Sequence, residues 1–270
     1  MSTRMRAKQT ALRNGRAHHL AALQHQAVVS GAEFEAEDPS EPLLPLHPRY
    51  LRVKAAFDFM AALVLLLLAS PVLLSASLLI RLTSRGPVLY RQVRVGLHGK
   101  LFTLIKLRTM VVNAEAAGAV WSGPNDPRVT SVGRILRATH IDEMPQLIHV
   151  LSGRMSLIGP RPERPELVAK FDFQLPRYPD RHNIRPGLSG LAQLQLPPDS
   201  DLNSVRRKLV HDLYYVRHVS FWLDARIFLA TISYLAGSAI GVVTCLLALP
   251  NITNAGPPSE ESHPEETLPA

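Results

Sequence analysis

Two long stretches of the chain carry no charge. Residues 59–80, FMAALVLLLLASPVLLSASLLI, are 22 uncharged positions that as a straight helix would rise ~33 Å, about the hydrocarbon thickness of a bilayer. Ser70-Pro71 divides them into 12 and 10, and a mid-helix proline lacks one backbone donor and clashes with the turn before it, so a kink is predicted there. Arg49, Arg52 and Lys54 precede the run, and Arg81, Arg85, Arg91 and Arg94 follow it. Basic residues favour the cytoplasmic side, so two basic flanks argue for a segment that dips in and returns, in even balance with a kinked helix that spans. Residues 227–249 form the second uncharged run, with Gly237 and Gly241 in small-residue spacing and Trp222 and Tyr234 suited to an interfacial depth. Spanning, lying at the interface and packing on the soluble body all remain open for it.

Between these runs the apolar pattern shortens. Residues 88–94 and 101–107 read as strands around a Gly96-Leu-His-Gly99 turn. Residues 131–136, 144–151, 167–173 and 202–215 read as helices, and Pro160, Pro162, Pro165, Pro176, Pro179, Pro186, Pro197 and Pro198 leave the rest loop-rich. The prediction is an α+β chain: a helix-break-helix membrane segment, then a small, mostly helical catalytic domain with short strands and interfacial helices. Its expected boundaries are a disordered leader over 1–48, the membrane segment over 49–85, the catalytic domain over 86–226, an apolar helix over 227–250 and a disordered acidic tail over 251–270.

Charge sharpens this picture. The 270 residues carry a net +8, yet residues 1–41 are balanced, the last twenty hold four glutamates, and residues 42–250 hold 25 basic and 13 acidic residues, a net +12. The middle of the chain therefore suits an anionic substrate or lipid surface. The lone Cys245 excludes a disulfide framework and a cysteine-based zinc site. A cleavable signal peptide is not expected, because more than fifty polar and proline-containing residues precede the first apolar run.

The candidate chemistry lies where arginines surround one acidic pair, in Arg137-Ala-Thr139-His-Ile-Asp142-Glu143-Met-Pro145. Thr139 and Asp142 have capping-box spacing and Pro145 suits a first turn, which predicts that Asp142 and Glu143 sit at a helix mouth, where an anion such as a phosphate is favoured. Adjacent helical residues point about 100° apart, so the two carboxylates suit different tasks, one as nucleophile and one holding Mg²⁺. Gly159-Pro160-Arg161-Pro162 fixes the backbone on both sides of Arg161, and Arg185-Pro186-Gly187 repeats the device. Lys106 and Arg108, at the end of a strand, are candidates to add charge to the same cleft. His140 reads as a capping-region residue and His149 as a core histidine. P-loop, zinc-protease and dinucleotide fingerprints are missing.

These residues resemble the bacterial monotopic phosphoglycosyl transferases. The resemblance runs over about residues 52–224, in Gly86-Pro-Val-Leu-Tyr-Arg-Gln-Val-Arg-Val-Gly96, Lys106-Leu-Arg-Thr-Met110, the Asp142-Glu143 segment, Leu151-Ser-Gly-Arg-Met-Ser-Leu-Ile-Gly-Pro-Arg161-Pro and Arg185-Pro-Gly-Leu-Ser-Gly-Leu-Ala-Gln193. It implies transfer of a sugar-1-phosphate from a UDP-sugar to a polyprenyl phosphate such as undecaprenyl phosphate, at the cytoplasmic face of the bacterial inner membrane, as the first membrane step of exopolysaccharide, capsule or O-antigen synthesis. It implies a re-entrant helix broken at Ser70 and Pro71, Asp142 as nucleophile, Glu143 as Mg²⁺ partner, and Lys106, Arg137, Arg161, Arg185 and Asp212 in binding or supporting roles. His140 departs from it, standing where a small hydroxyl residue is common. The large multi-span extension of many family members is not expected here.

The competing reading is a non-catalytic membrane adaptor whose cationic body holds anionic lipid or a protein partner. An adjacent acidic pair among arginines gains such a surface nothing. No nucleic-acid recognition motif is present, and nucleic acid is not expected as a partner.

Overall fold

The structure, a computed structural model, describes residues 28–30, 42–114, 126–238, 241, 243–244 and 247–253. They belong to two compact units. In the smaller, β1 (Val28–Ser30) pairs in parallel with β6 (Asn251–Thr253). Both strands are short runs with β-branched residues. The rest of the expected leader up to residue 41, and residues 254–270, lie outside the described residues.

The larger unit mixes helices and strands as expected. Its first element is α1, Tyr50–Thr83, long and apolar enough to cross a membrane, with only 17% of its most apolar window buried. One stripe of α1 faces inward: Lys54, Asp58, Ala62, Ala69, Ala76 and Ile80 are buried, spaced by four and seven so that they share a helix face. Val64, Leu67, Leu68, Leu74, Leu78 and Leu82, elsewhere on the helix, are exposed. α1 runs on through the predicted break, and the sequence explains how. Pro71 cannot donate to the carbonyl of Leu67, and the Ser70 hydroxyl donates to that oxygen instead, at 2.8 Å.

β2 (Leu89–Val95) and β3 (Leu101–Leu107) form an antiparallel hairpin that sets Tyr90 opposite Lys106. Next come α2 (Ser131–Ala138), a 3₁₀ turn over Ile141–Gln146, and α3 (Leu147–Leu151). Leu107 of β3 and Leu136 of α2 pack with Ala76 and Ile80 of α1 in one buried cluster, against which Ile141 of the 3₁₀ turn also packs. The acidic pair is thereby fastened to the far half of the long apolar helix.

β4 (Ser156–Ile158) and β5 (Gly187–Ser189) pair in parallel. This sets the segments after Ile158 and before Gly187 side by side. Around them lie α4 (Pro165–Gln174), a 3₁₀ turn over Tyr178–His182, α5 (Leu191–Gln195), α6 (Leu202–His218) and α7 (Phe221–Leu235).

α7 overlaps the first part of the helix expected over 227–250. Ser220 caps it by accepting from the Leu223 amide, so it starts six residues earlier than the uncharged run. Asp224 is tolerated inside it because its carboxylate is bonded by Tyr50, Tyr215 and Lys54. The helix ends at Leu235, and Gly237 follows at φ 85°, a left-handed conformation suited to glycine. The end of the expected leader is also ordered: Leu43 is fully buried, its carbonyl accepts from Asn183, and the Leu46 amide donates to Arg217.

Candidate active site

The site begins where β3 ends. The Thr130 amide donates to the Thr109 carbonyl at 3.0 Å, and the Thr130 hydroxyl caps α2 by accepting from Gly133 at 2.9 Å. A Cβ added at Gly133 would stand 2.0 Å from the Thr109 carbonyl oxygen, so only glycine lets α2 lie this close to the strand end. One turn later Arg137 Nε donates to the Thr109 hydroxyl at 2.9 Å. Strand and helix thus deliver Lys106 and Arg137 to the same place.

The predicted capping box does not form. Thr139 closes α2 instead, and its hydroxyl donates back to the carbonyls of Ile135 and Leu136. His140 takes the cap position in the left-handed conformation, φ 56°, without a side-chain cap. That sharp turn places Asp142 and Glu143 in the first turn of the 3₁₀ segment, and Asp142 is 6% exposed.

The two carboxylates then diverge. Both oxygens of Glu143 accept from the fork of Arg161, at 2.6 and 3.2 Å. Burial alone would raise the Glu143 pKa, but the Arg161 charge and hydrogen bonds outweigh it and hold it at about 2. Asp142 takes no hydrogen bond from a described residue, and burial, with the Glu143 charge, pushes its pKa up against the pull of Lys106, Arg137 and His140. Burial lowers the pKa of Lys106, opposed by Asp142 and Glu143, and its ammonium lies 5.4 Å from the centre of the Tyr90 ring. The arrangement is one carboxylate spent on an arginine and one held among cations with its oxygens uncommitted.

Arg161 is aimed from behind by residues that sequence reasoning did not group. Arg181 donates to the Arg161 carbonyl at 2.9 Å and, through Nε and Nη2, to Asp212 at 3.0 and 2.7 Å. Asp212 is therefore a buried support and does not join Asp142 in the cleft. Arg94 donates to the Pro162 carbonyl at 3.0 Å, and Lys208 bonds both Glu163 and Asp199. Arg185 lies on the neighbouring strand segment, half-buried, and its side chain has no hydrogen-bond or ion-pair partner among the described residues. Arg108 turns away from the site and closes the end of α1 by donating to the carbonyls of Ser84 and Arg85. His149 is a core histidine, accepting from the Ile105 amide.

Residues 49–238 match the family model described as bacterial sugar transferase. The chain belongs to the bacterial sugar transferase family. It is 44% identical over 190 residues to a UDP-N-acetylgalactosamine-undecaprenyl-phosphate N-acetylgalactosaminephosphotransferase of Aeromonas hydrophila, covering 70% of this chain and 45% of that one. It is 41% identical over 203 residues to a UDP-glucose:undecaprenyl-phosphate glucose-1-phosphate transferase of Caulobacter vibrioides, covering 72% and 76%. A putative undecaprenyl-phosphate N-acetylgalactosaminyl 1-phosphate transferase of Bacillus subtilis is 50% identical over 133 residues, covering 49% and 74%. The chain thus spans under half of the Aeromonas relative and about three quarters of the Caulobacter one.

The donor set of the site also bears on the expected Mg²⁺. Among the described residues no group of three His, Cys, Asp or Glu could enclose a metal. Mg²⁺ needs only one or two carboxylates when phosphate oxygens complete its shell, and the lone pairs that the Glu143 oxygens keep beside the Arg161 fork fit that use. They do not fit a closed, all-protein site.

Proposed function

We propose that the chain transfers a sugar-1-phosphate from a UDP-sugar to undecaprenyl phosphate by way of a covalent aspartyl intermediate. The observation that carries this reading is Asp142: buried, without a hydrogen bond from any described residue, and set among Lys106, Arg137 and the Arg161–Glu143 pair. A carboxylate oxygen of Asp142 attacks the β-phosphorus, the bond from that phosphorus to the bridging oxygen breaks, and UMP leaves with the electron pair. An oxygen of the polyprenyl phosphate then attacks the same phosphorus and the Asp142 carboxylate departs. No proton is gained or lost overall, so cations that gather phosphate charge serve better than an acid-base pair. Lys106 and Arg137 hold the diphosphate, and Arg161 supports Glu143 and the phosphate together. Mg²⁺, held by Glu143 with substrate oxygens, would neutralise phosphate charge when bound. Arg185, on the strand segment beside the Arg161 loop, would meet phosphate once the cleft is filled.

The same reading makes α1 a re-entrant helix that bends at Ser70-Pro71, with the catalytic body on the cytoplasmic face. Its support is that the foot of α1 bonds the body through Lys54 and Asp58 while its far end packs on Leu107 and Leu136. One body holding both ends suits a helix that returns to the side it entered. The relatives' names divide between glucose and N-acetylgalactosamine, so the reading stops at a UDP-hexose.

The test is UMP release by the protein in nanodiscs with Mg²⁺, undecaprenyl phosphate and a panel of UDP-sugars. Release with one sugar, lost in Asp142→Asn, is expected. Full activity in that variant would sink the covalent scheme.

A further inference from the structure

His140 and Tyr234 meet at the mouth of the site from two different elements. Their rings lie 6.1 Å apart between centres at 51°, and both residues are exposed. His140 stands immediately before the acidic turn, in a left-handed conformation that histidine adopts more readily than most residues. Its ring is exposed, yet it stays near enough to act on both carboxylates.

Tyr234 comes from the last turn of α7, and α7 is a bridge. Its first turn is bonded to the foot of α1, with Asp224 accepting from Tyr50 at 2.7 Å and lying 2.8 Å from Lys54. Its fifteen residues then rise ~22 Å toward His140. Along the way Phe221, Trp222, Leu229, Ile232 and Leu235 are exposed. A helix that starts at the foot of a membrane segment and turns such a face outward lies along the lipid boundary. Of the two substrates, only the polyprenyl phosphate travels in that layer.

We propose that His140, backed by Tyr234, receives the phosphate of the polyprenyl acceptor where it leaves the lipid and hands it to the phosphorus carried on Asp142; this rests on the two-step reading above. The chemistry needs a donor there. Asp142 and Glu143 repel an incoming phosphate, and an imidazole in either tautomer keeps one N–H to offer it. Tyr234 holds the ring on the lipid side of the carboxylates.

The test uses the full chain in nanodiscs and three readouts: KM for undecaprenyl phosphate, KM for the UDP-sugar, and exchange of labelled UMP into UDP-sugar without acceptor. His140→Ala is expected to raise the acceptor KM about tenfold, the effect of one lost hydrogen bond to a charged group. His140→Gln, which keeps a donor, should recover most of that loss, and Tyr234→Ala should reproduce part of it. The donor KM and the UMP exchange should move by less than about twofold. An equal rise in donor KM, or a matching loss of exchange, would place His140 on the donor or the acidic turn and overturn the inference. An unchanged acceptor KM would overturn it as well. Absence of UMP exchange in the unaltered protein would instead defeat the covalent reading, a failure visible without any variant.

Discussion

The Lys54 ammonium lies 2.8 Å from Asp224 Oδ2, and both side chains are nearly fully buried. Their elements are separated by most of the chain, so this pair ties the entry of the long apolar helix to the helix that runs to the site. Asp58 extends the tie by accepting from the Ser156 hydroxyl at 2.6 Å. Removing one partner of a buried pair leaves the other charge stranded. Lys54→Met should therefore cost about 3–5 kcal/mol in chemical unfolding followed in detergent, and Lys54→Met with Asp224→Leu should cost less than the two changes summed.

Arg161→Lys should lower kcat/KM by about 10- to 100-fold, because an ammonium cannot grip both oxygens of Glu143 as the fork does. Freed of the fork, the Glu143 carboxylate should titrate well above its present value of about 2. Kinetics on the purified variant, with a normal Tm to show that it is folded, check this.

The acid limb of kcat/KM should lie above the ordinary value for an aspartate, since Asp142 is pushed up and only its ionised form can attack. Activity should thus fall as pH drops through that raised pKa. Lys106→Gln removes a cation that favours the carboxylate and should move the limb to higher pH. Glu143→Gln removes the like charge and should move it lower. Residual rates of both variants across pH 4–9, a window of about five units, decide the signs.

Gly133→Ala would ordinarily favour a helix by about 0.5–1 kcal/mol. Here the added methyl meets the Thr109 carbonyl at 2.0 Å, so it should destabilise the fold by about 1–3 kcal/mol. A raised Tm would show that α2 has room to move.

Much of this was legible in the sequence because the signals were local. Strand alternation gave the hairpin and its turn, uncharged length gave α1, and the acidic pair beside strand-end Lys106 and proline-framed Arg161 gave most of the cleft. What escaped was set by distant partners. Asp212 reads as a polar position in a helix, and only the folded chain shows Arg181 taking it up. Arg108 and Lys106 are two apart, yet one closes a helix end and the other faces the carboxylates. Thr139 had the right spacing for a cap, but its hydroxyl was already used by the helix before it. Lys54 and Asp58, four apart at the head of an apolar run, were a readable i,i+4 signal for the buried tie.

The loop bearing Arg161 rests on main chain as well as on the side chains of Arg181 and Arg94. A Cβ at Gly187 would stand 2.1 Å from the Gly159 amide nitrogen, and one at Gly190 2.3 Å from the Gly159 carbonyl oxygen. Rotamers yield under load, whereas peptide planes resist bending. The guanidinium is therefore mounted on a hard stop. Lineages can exchange the apolar residues around it without re-aiming the fork, while a single methyl in that seam would lift it off its target.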